Sequence, residues 1–189
     1  MRLLSSPELD AWSAIPTAVL SDERLHRGVL FGLGPLVTVR SFAAQALTIV
    51  VEDTDNGAPR KALAAAWPQA CIVIDARLRP DAAVWGGNLA SIARDRGVAA
   101  IIVDGNVRDI VELRASGLAI YGRGVTPRGP AWGGQIGVTI HCGGVQVGPG
   151  DLIVGDEDGV IAIPLDAVDD ALLERCRTRM KREAQGLSG

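Results

Sequence analysis

Aromatic residues are scarce in this sequence, 4% of it against 48% hydrophobic residues, so any core must be built from Ala, Val, Ile and Leu. Cysteine is scarcer and odd in number: Cys71, Cys142 and Cys176 have no C-x-x-C spacing, which points to neither a disulfide framework nor a zinc site. They read as small buried hydrophobes in a reducing compartment. Positive charge is not in surplus either, with a net charge of -3 and a pI near 5.4, whereas a nucleic-acid binder needs a basic face to neutralise phosphates. Small acidic substrates stay open, because for them local arginine placement matters more than net charge. No apolar run approaches the roughly 18 residues of a membrane span, and the N-terminus lacks the basic and apolar regions of a secretory signal. We therefore expect no nucleic acid, no membrane and a cytoplasmic location. Repeats, low-complexity tracts and linkers are missing too, so residues 1–189 are expected to form one domain.

What is present alternates between helix and strand signals. Ser6 and Pro7 look like the cap and first position of a short helix, and Pro16 opens a second, with His26 after it as a surface or capping residue. Strands are expected at 36–40 and 46–51, the second ending in the acidic turn 52–57, which lacks calcium-loop spacing. A helix at 59–66 precedes a buried strand at 71–75. Asp75, at that strand's C-terminal end, and Asp81 are carboxylates able to approach a ligand; the alternative is turn formation. Later strands are expected at 118–121, 136–140, 145–147, 152–154 and 160–163, with 122–134 an irregular loop carrying Arg123, Arg128 and Trp132. Cys142-Gly143-Gly144 reads as a hairpin turn, and His141 beside it is either an acid or base or, the preferred reading, a structural histidine. A C-terminal helix at about 166–183 sets Val168, Leu172, Cys176 and Met180 on one face.

The stretch from Trp85 to Ile110 concentrates the chemistry. Gly86 and Gly87 remove side chains just before a helix at 89–96, for which Asn88 is the expected cap and Gly97 the left-handed stop. Residues 98–103 form an apolar run read as a buried strand, with Asp104-Gly105 as a tight turn. Beyond it stand Arg108 and Asp109. Glycine amides at a helix start favour an anion, a guanidinium matches a carboxylate, and a carboxylate offers oxygen to a hard cation. The combination suggests a small anionic substrate beside a metal ion. Asp109 and Glu112 equally fit a capping box for the next helix, and spacing alone leaves capping and ligation both open.

Gly86-Gly87-Asn88-Leu89, VDGNVRD ending at Asp109, and GVQVGPGDLIVGDEDGVIAIP ending at Pro164 resemble the 4-hydroxy-4-methyl-2-oxoglutarate aldolase family, which also contains the regulator of ribonuclease activity A proteins. The blocks occur in the family's order over most of the chain. The resemblance implies an α/β fold of the three-layer β/β/α swivelling type, assembled as homotrimers that sometimes stack as hexamers. The implied activity is metal-dependent (class II) aldol cleavage of 4-hydroxy-2-oxo acids to pyruvate, with oxaloacetate decarboxylation as a companion. The alternative it carries is a non-catalytic trimer that binds and regulates a protein such as a ribonuclease.

By position, the resemblance gives the amides of Gly86, Gly87, Asn88 and Leu89 to the substrate carboxylate, Arg108 to the carboxylate or the C2 oxygen, and Asp109 to Mg²⁺ or Mn²⁺. A glutamate from a neighbouring subunit matches Glu183. Gly87 departs from the pattern, standing where better-characterised aldolases have an acidic residue. The chain's only lysines, Lys61 and Lys181, lie outside the central stretch, in keeping with a metal-dependent rather than an imine mechanism.

Overall fold

The computed structural model describes residues 2–37, 39–52, 57–129 and 133–186. Two helices come first, α1 (Ser6–Ser13) and α2 (Thr17–Glu23). Ser5, not Ser6, is the cap of α1, and its amide donates to Glu8 at 2.7 Å. After the short β1 (Gly34–Pro35) and the long β2 (Phe42–Glu52), α3 (Ala58–Ala65) leads into β3 (Ala70–Asp75) and β4 (Ala83–Trp85). Then α4 (Gly87–Asp95), β5 (Ala100–Val107), α5 (Ile110–Ala115) and β6 (Ala119–Val125) alternate. The remainder is β7 (Gly133–Ile136), β8 (Ile140–Cys142), β9 (Val145–Val147), β10 (Leu152–Asp156), β11 (Gly159–Ile163) and α6 (Asp170–Ala184).

A mixed sheet runs in the order β1-β6-β5-β3-β2-β10-β11, with β4 added beside β5 and β7 beside β2. Strands β2, β3, β5 and β6 are mutually parallel, while β1, β7, β10 and β11 pair antiparallel. Every residue of β3 is buried, so both faces of the sheet are covered there, which is why 71–74 reads as continuous Cys-Ile-Val-Ile rather than as an alternation. Helix α3 packs on β2 and β7, α4 lies between α3 and α5, and the β8–β9 hairpin packs over β2 and β3. Helices α1, α2 and α6 close a second apolar cluster with β10 and β11, around Trp12, Leu20, Ile163 and Cys176. The fold is thus mixed α/β, with a second β layer. Among the described residues no helix is long and apolar enough to cross a membrane.

Several expectations need correction. Residues 36–40 do not form the expected strand among the described residues: Val37 and Val39 are buried in the core, and the pairing of Gly34 and Pro35 with β6 ends at Leu36, whose amide donates to the Ile120 carbonyl at 2.9 Å. Alternation reports which side chains are buried, not whether the backbone finds a partner. Strand β6 extends into the expected loop as far as Val125, and β7 begins at Gly133, while Trp132 lies outside the described residues. The expected strand 136–140 breaks at Gly137, whose φ is 69°. The acidic turn is described only at Glu52 and Gly57. A single 3-10 turn, Leu165–Ala167, precedes α6, whose cap is Asp169, accepting from the Leu172 amide at 2.7 Å. The hairpin turn holds, with Gly143 and Gly144 at φ 56° and 81°, conformations that suit glycine.

The largest correction concerns Asp104-Gly105, which is no turn. Strand β5 continues to Val107, and its register with β6 slips between Val103 and Asn106. A glycine inside an apolar run marked a bulge. Asp104 is fully buried there, accepting from the Gly143 amide at 2.7 Å and from the Arg123 guanidinium.

Candidate functional site

Because β5 runs on, Arg108 and Asp109 sit at its C-terminal end, where the Arg108 amide donates to the Trp85 carbonyl at 2.9 Å. That bond ties the end of β5 to the end of β4, and β4 feeds directly into α4. The cap of α4 is Gly86, in extended conformation, and not Asn88, which lies inside the first turn. Gly97 has a φ of 71° and ends the helix as expected. The amides of the first turn of α4 have no carbonyl of their own helix to bond, and that of Gly87 meets the strand end that carries Arg108 and Asp109.

Asp109, by its position, bears on the capping reading left open by spacing. It is the residue before α5, at φ 58° and ψ 45°, yet its side chain makes no cap bond to α5. Instead its Oδ2 accepts from the Gly87 amide at 3.0 Å, with Arg108 Nε 3.5 Å away. A left-handed aspartate costs on the order of 1 kcal/mol, and strain of this kind gathers where side-chain direction matters. The capping box is not formed. Both side chains stay reachable, with Arg108 37% and Asp109 39% exposed.

The two glycines are the price of this close approach. A Cβ on Gly86 would stand 2.6 Å from Asp109 Oδ2 and 3.1 Å from Arg108 Cγ. A Cβ on Gly87 would stand 2.7 Å from Glu112 Cβ. Glu112 therefore fills the space beside Gly87.

A pocket opens over this corner, lined by Trp85, Gly86, Asn88, Leu89, Arg108 and Asp109, with Arg60 of α3 at its edge. Arg60 and Trp85 were not singled out from the sequence; Ala-Val-Trp directly before a glycine pair was the only signal for β4. Other candidates lie elsewhere. The Asp75 carboxylate accepts from Arg77 Nε at 2.9 Å and Nη2 at 2.8 Å. Burial pushes the Asp75 carboxyl up, but the Arg77 guanidinium and amide outweigh it and hold the group below its usual range. Asp81 pairs with Arg128 at 2.7 Å. His141 lies exposed on β8 opposite Gln146, outside the pocket lining. Glu183, on α6, pairs with Arg179 at 2.9 Å within its own helix and does not line the pocket. All three cysteines are buried, and burial pushes their thiols upward, away from reactivity.

A metal ion fits this donor set only in one way. Among the described residues no group of three or more His, Cys, Asp or Glu side chains converges. Such a donor set suits a hard cation held by one carboxylate and otherwise by water and substrate oxygens. Asp109, hydrogen-bonded at Oδ2 and open at the pocket, matches that requirement.

Fold and pocket together describe a mixed α/β protein with an open corner between a helix start and a strand end. Residues 17–162 match the RraA-like family, described as Aldolase/RraA, and the chain belongs to that family. It is 35% identical over 188 residues to a Halalkalibacterium halodurans protein named "Putative 4-hydroxy-4-methyl-2-oxoglutarate aldolase", covering 96% of this chain and 90% of that protein. The 4-hydroxy-4-methyl-2-oxoglutarate aldolase of Thermus thermophilus is 34% identical over 125 residues, 65% of this chain and 76% of that one. The solved structure of Streptomyces coelicolor RraAS2, described as an unusual member of the RNase ES inhibitor RraA protein family, has a TM-score of 0.84 at 22% identity, covering 98% and 96% of the two chains. That last likeness is one of fold.

Proposed function

We propose that the protein is a divalent-metal-dependent lyase that cleaves 4-hydroxy-2-oxo acids to pyruvate, and decarboxylates oxaloacetate, at the pocket between α4 and the end of β5. The observation that carries this reading is Asp109, turned away from its own helix to meet the Gly87 amide beside Arg108. The names of relatives such as the Thermus thermophilus aldolase support the substrate class.

Asp109 would hold Mg²⁺ or Mn²⁺. When bound, such an ion polarises the C2 carbonyl of the substrate and lowers the pKa of bound water. The chain's own part is placement. First-turn amides of Asn88 and Leu89 bind the C1 carboxylate, with the helix dipole behind them. Arg108 presents its guanidinium to the carboxylate or the C2 oxygen, where negative charge develops as the C3–C4 bond breaks. In aldol cleavage the 4-hydroxyl proton leaves; in decarboxylation carbon dioxide does, and both give pyruvate after protonation at C3. Glu112, beside Gly87, is the nearest acidic side chain to the position where the family pattern has one. Glu183 of a neighbouring copy would complete the wall in a homotrimer.

The competing reading is a regulator that binds a ribonuclease, as the description of the Streptomyces coelicolor protein's family suggests. Pyruvate release from a panel of 4-hydroxy-2-oxo acids and oxaloacetate, with and without Mg²⁺, separates the two. Release that depends on Mg²⁺ is expected for at least one member. Silence across the whole panel would favour the regulator.

A further inference from the structure

Among the described residues one buried side-chain polar atom has no hydrogen-bond partner, the indole Nε1 of Trp85. Other buried polar groups are met: Gln45 Nε2 donates to the Gly150 carbonyl at 2.9 Å, the Thr48 hydroxyl to Val138 at 2.6 Å and the Tyr121 hydroxyl to Asp156 at 2.6 Å. Buried donors are nearly always satisfied, so the exception asks for an acceptor that the chain alone does not supply. Its location is specific. Trp85 is 1% exposed, ends β4, and lines the pocket that Arg108, Asp109 and the start of α4 also line.

An indole N–H donates and cannot accept, so what completes it must carry a lone pair. Arg108 and the amide end of α4 bias the pocket toward negative oxygen. Trp85 is also held in place: its ring is packed in the main core cluster, and its carbonyl accepts from the Arg108 amide at 2.9 Å, so the buried Nε1–H meets an oxygen only as the pocket lining shifts on binding. We propose that Trp85 is a substrate-binding residue whose Nε1–H donates to a carboxylate oxygen of the bound 2-oxo acid. The identity of the ligand rests on the proposed function; the need for an acceptor does not.

The test uses full-length ¹⁵N-labelled protein, whose four tryptophans give separate indole resonances. Trp85→Phe identifies the resonance, or, if that variant does not fold, Trp→Phe at each of the other three positions identifies it by elimination. Titrating pyruvate in the presence of Mg²⁺ should move the Trp85 indole proton downfield while the others stay in place. In calorimetry, Trp85→Phe should weaken pyruvate binding about tenfold, as loss of a hydrogen bond to a charged group does, and leave Mg²⁺ affinity unchanged. Pyruvate that binds, as backbone resonances would report, without moving this indole overturns the inference and leaves the proposed function standing. An unchanged affinity in Trp85→Phe, or an effect on subunit association alone, overturns it too by placing the acceptor in a water or a second copy. Pyruvate that binds nowhere removes both.

Discussion

Gly86 and Gly87 are adjacent, yet a methyl group at each would strike different kinds of neighbour. At Gly86 the obstacle is the Asp109 carboxylate oxygen, the movable end of a side chain, 2.6 Å away. At Gly87 it is Glu112 Cβ at 2.7 Å, which cannot move unless α5 moves. Gly86→Ala is therefore expected to cost less than about 1 kcal/mol in stability while displacing Asp109, so that divalent-ion affinity and turnover fall together. Gly87→Ala should lose about 1 to 2 kcal/mol in urea unfolding, overpacking being partly offset by the better helix propensity of alanine. Equal stability losses in the two variants would contradict the geometry. The glycine pair and Arg108-Asp109 were legible in the sequence because each is a local signal. What spacing left open was the direction of the Asp109 side chain. That depends on a left-handed backbone and on a glycine amide 22 residues earlier, and neither is encoded in the cap pattern.

At the scale of elements, the legible parts were those whose burial is uniform or whose turns need glycine: β2, β3, the β8–β9 turn and the body of α4. The misread parts were those decided by pairing. Residues 36–40 alternate like a strand but, among the described residues, pair no further than Leu36, and Asp104-Gly105 looks like a turn because a charged residue in a buried strand is improbable without its partner in view. The partner is Arg123, assigned from sequence to a loop, together with the Gly143 amide. Asp104→Ala would strand that amide in the core and release Arg123, itself 45% exposed and so only partly dependent on the pair. The expected loss is about 2 to 4 kcal/mol by denaturant midpoint. Since β5 carries Arg108, Mg²⁺ affinity of the variant that remains folded should also fall. A change within about 0.5 kcal/mol would show that the bulge does not rely on this carboxylate.

For the whole molecule, one chain supplies the amides, the arginine and the carboxylate, but leaves the pocket open and Glu183 turned to its own helix. The proposed site needs a second copy to close it, and a homotrimer is the expected state. Light scattering coupled to size exclusion at micromolar concentration should report about three times the chain mass of 19.7 kDa, and a monomer would remove the shared wall. The central claim, metal-dependent cleavage at Asp109, stands or falls on Asp109→Asn. Asparagine keeps the shape, can still accept from the Gly87 amide and tolerates the left-handed backbone as aspartate does, but it lacks the charge that would hold a cation. Pyruvate release measured beside Mn²⁺ titration, in wild type and Asp109→Asn, should show metal binding lost and turnover reduced on the order of several hundredfold, roughly 3 to 4 kcal/mol at the transition state. Arg108→Lys in the same assay should weaken substrate binding and keep the metal. Metal affinity and turnover that survive intact in Asp109→Asn would contradict the account.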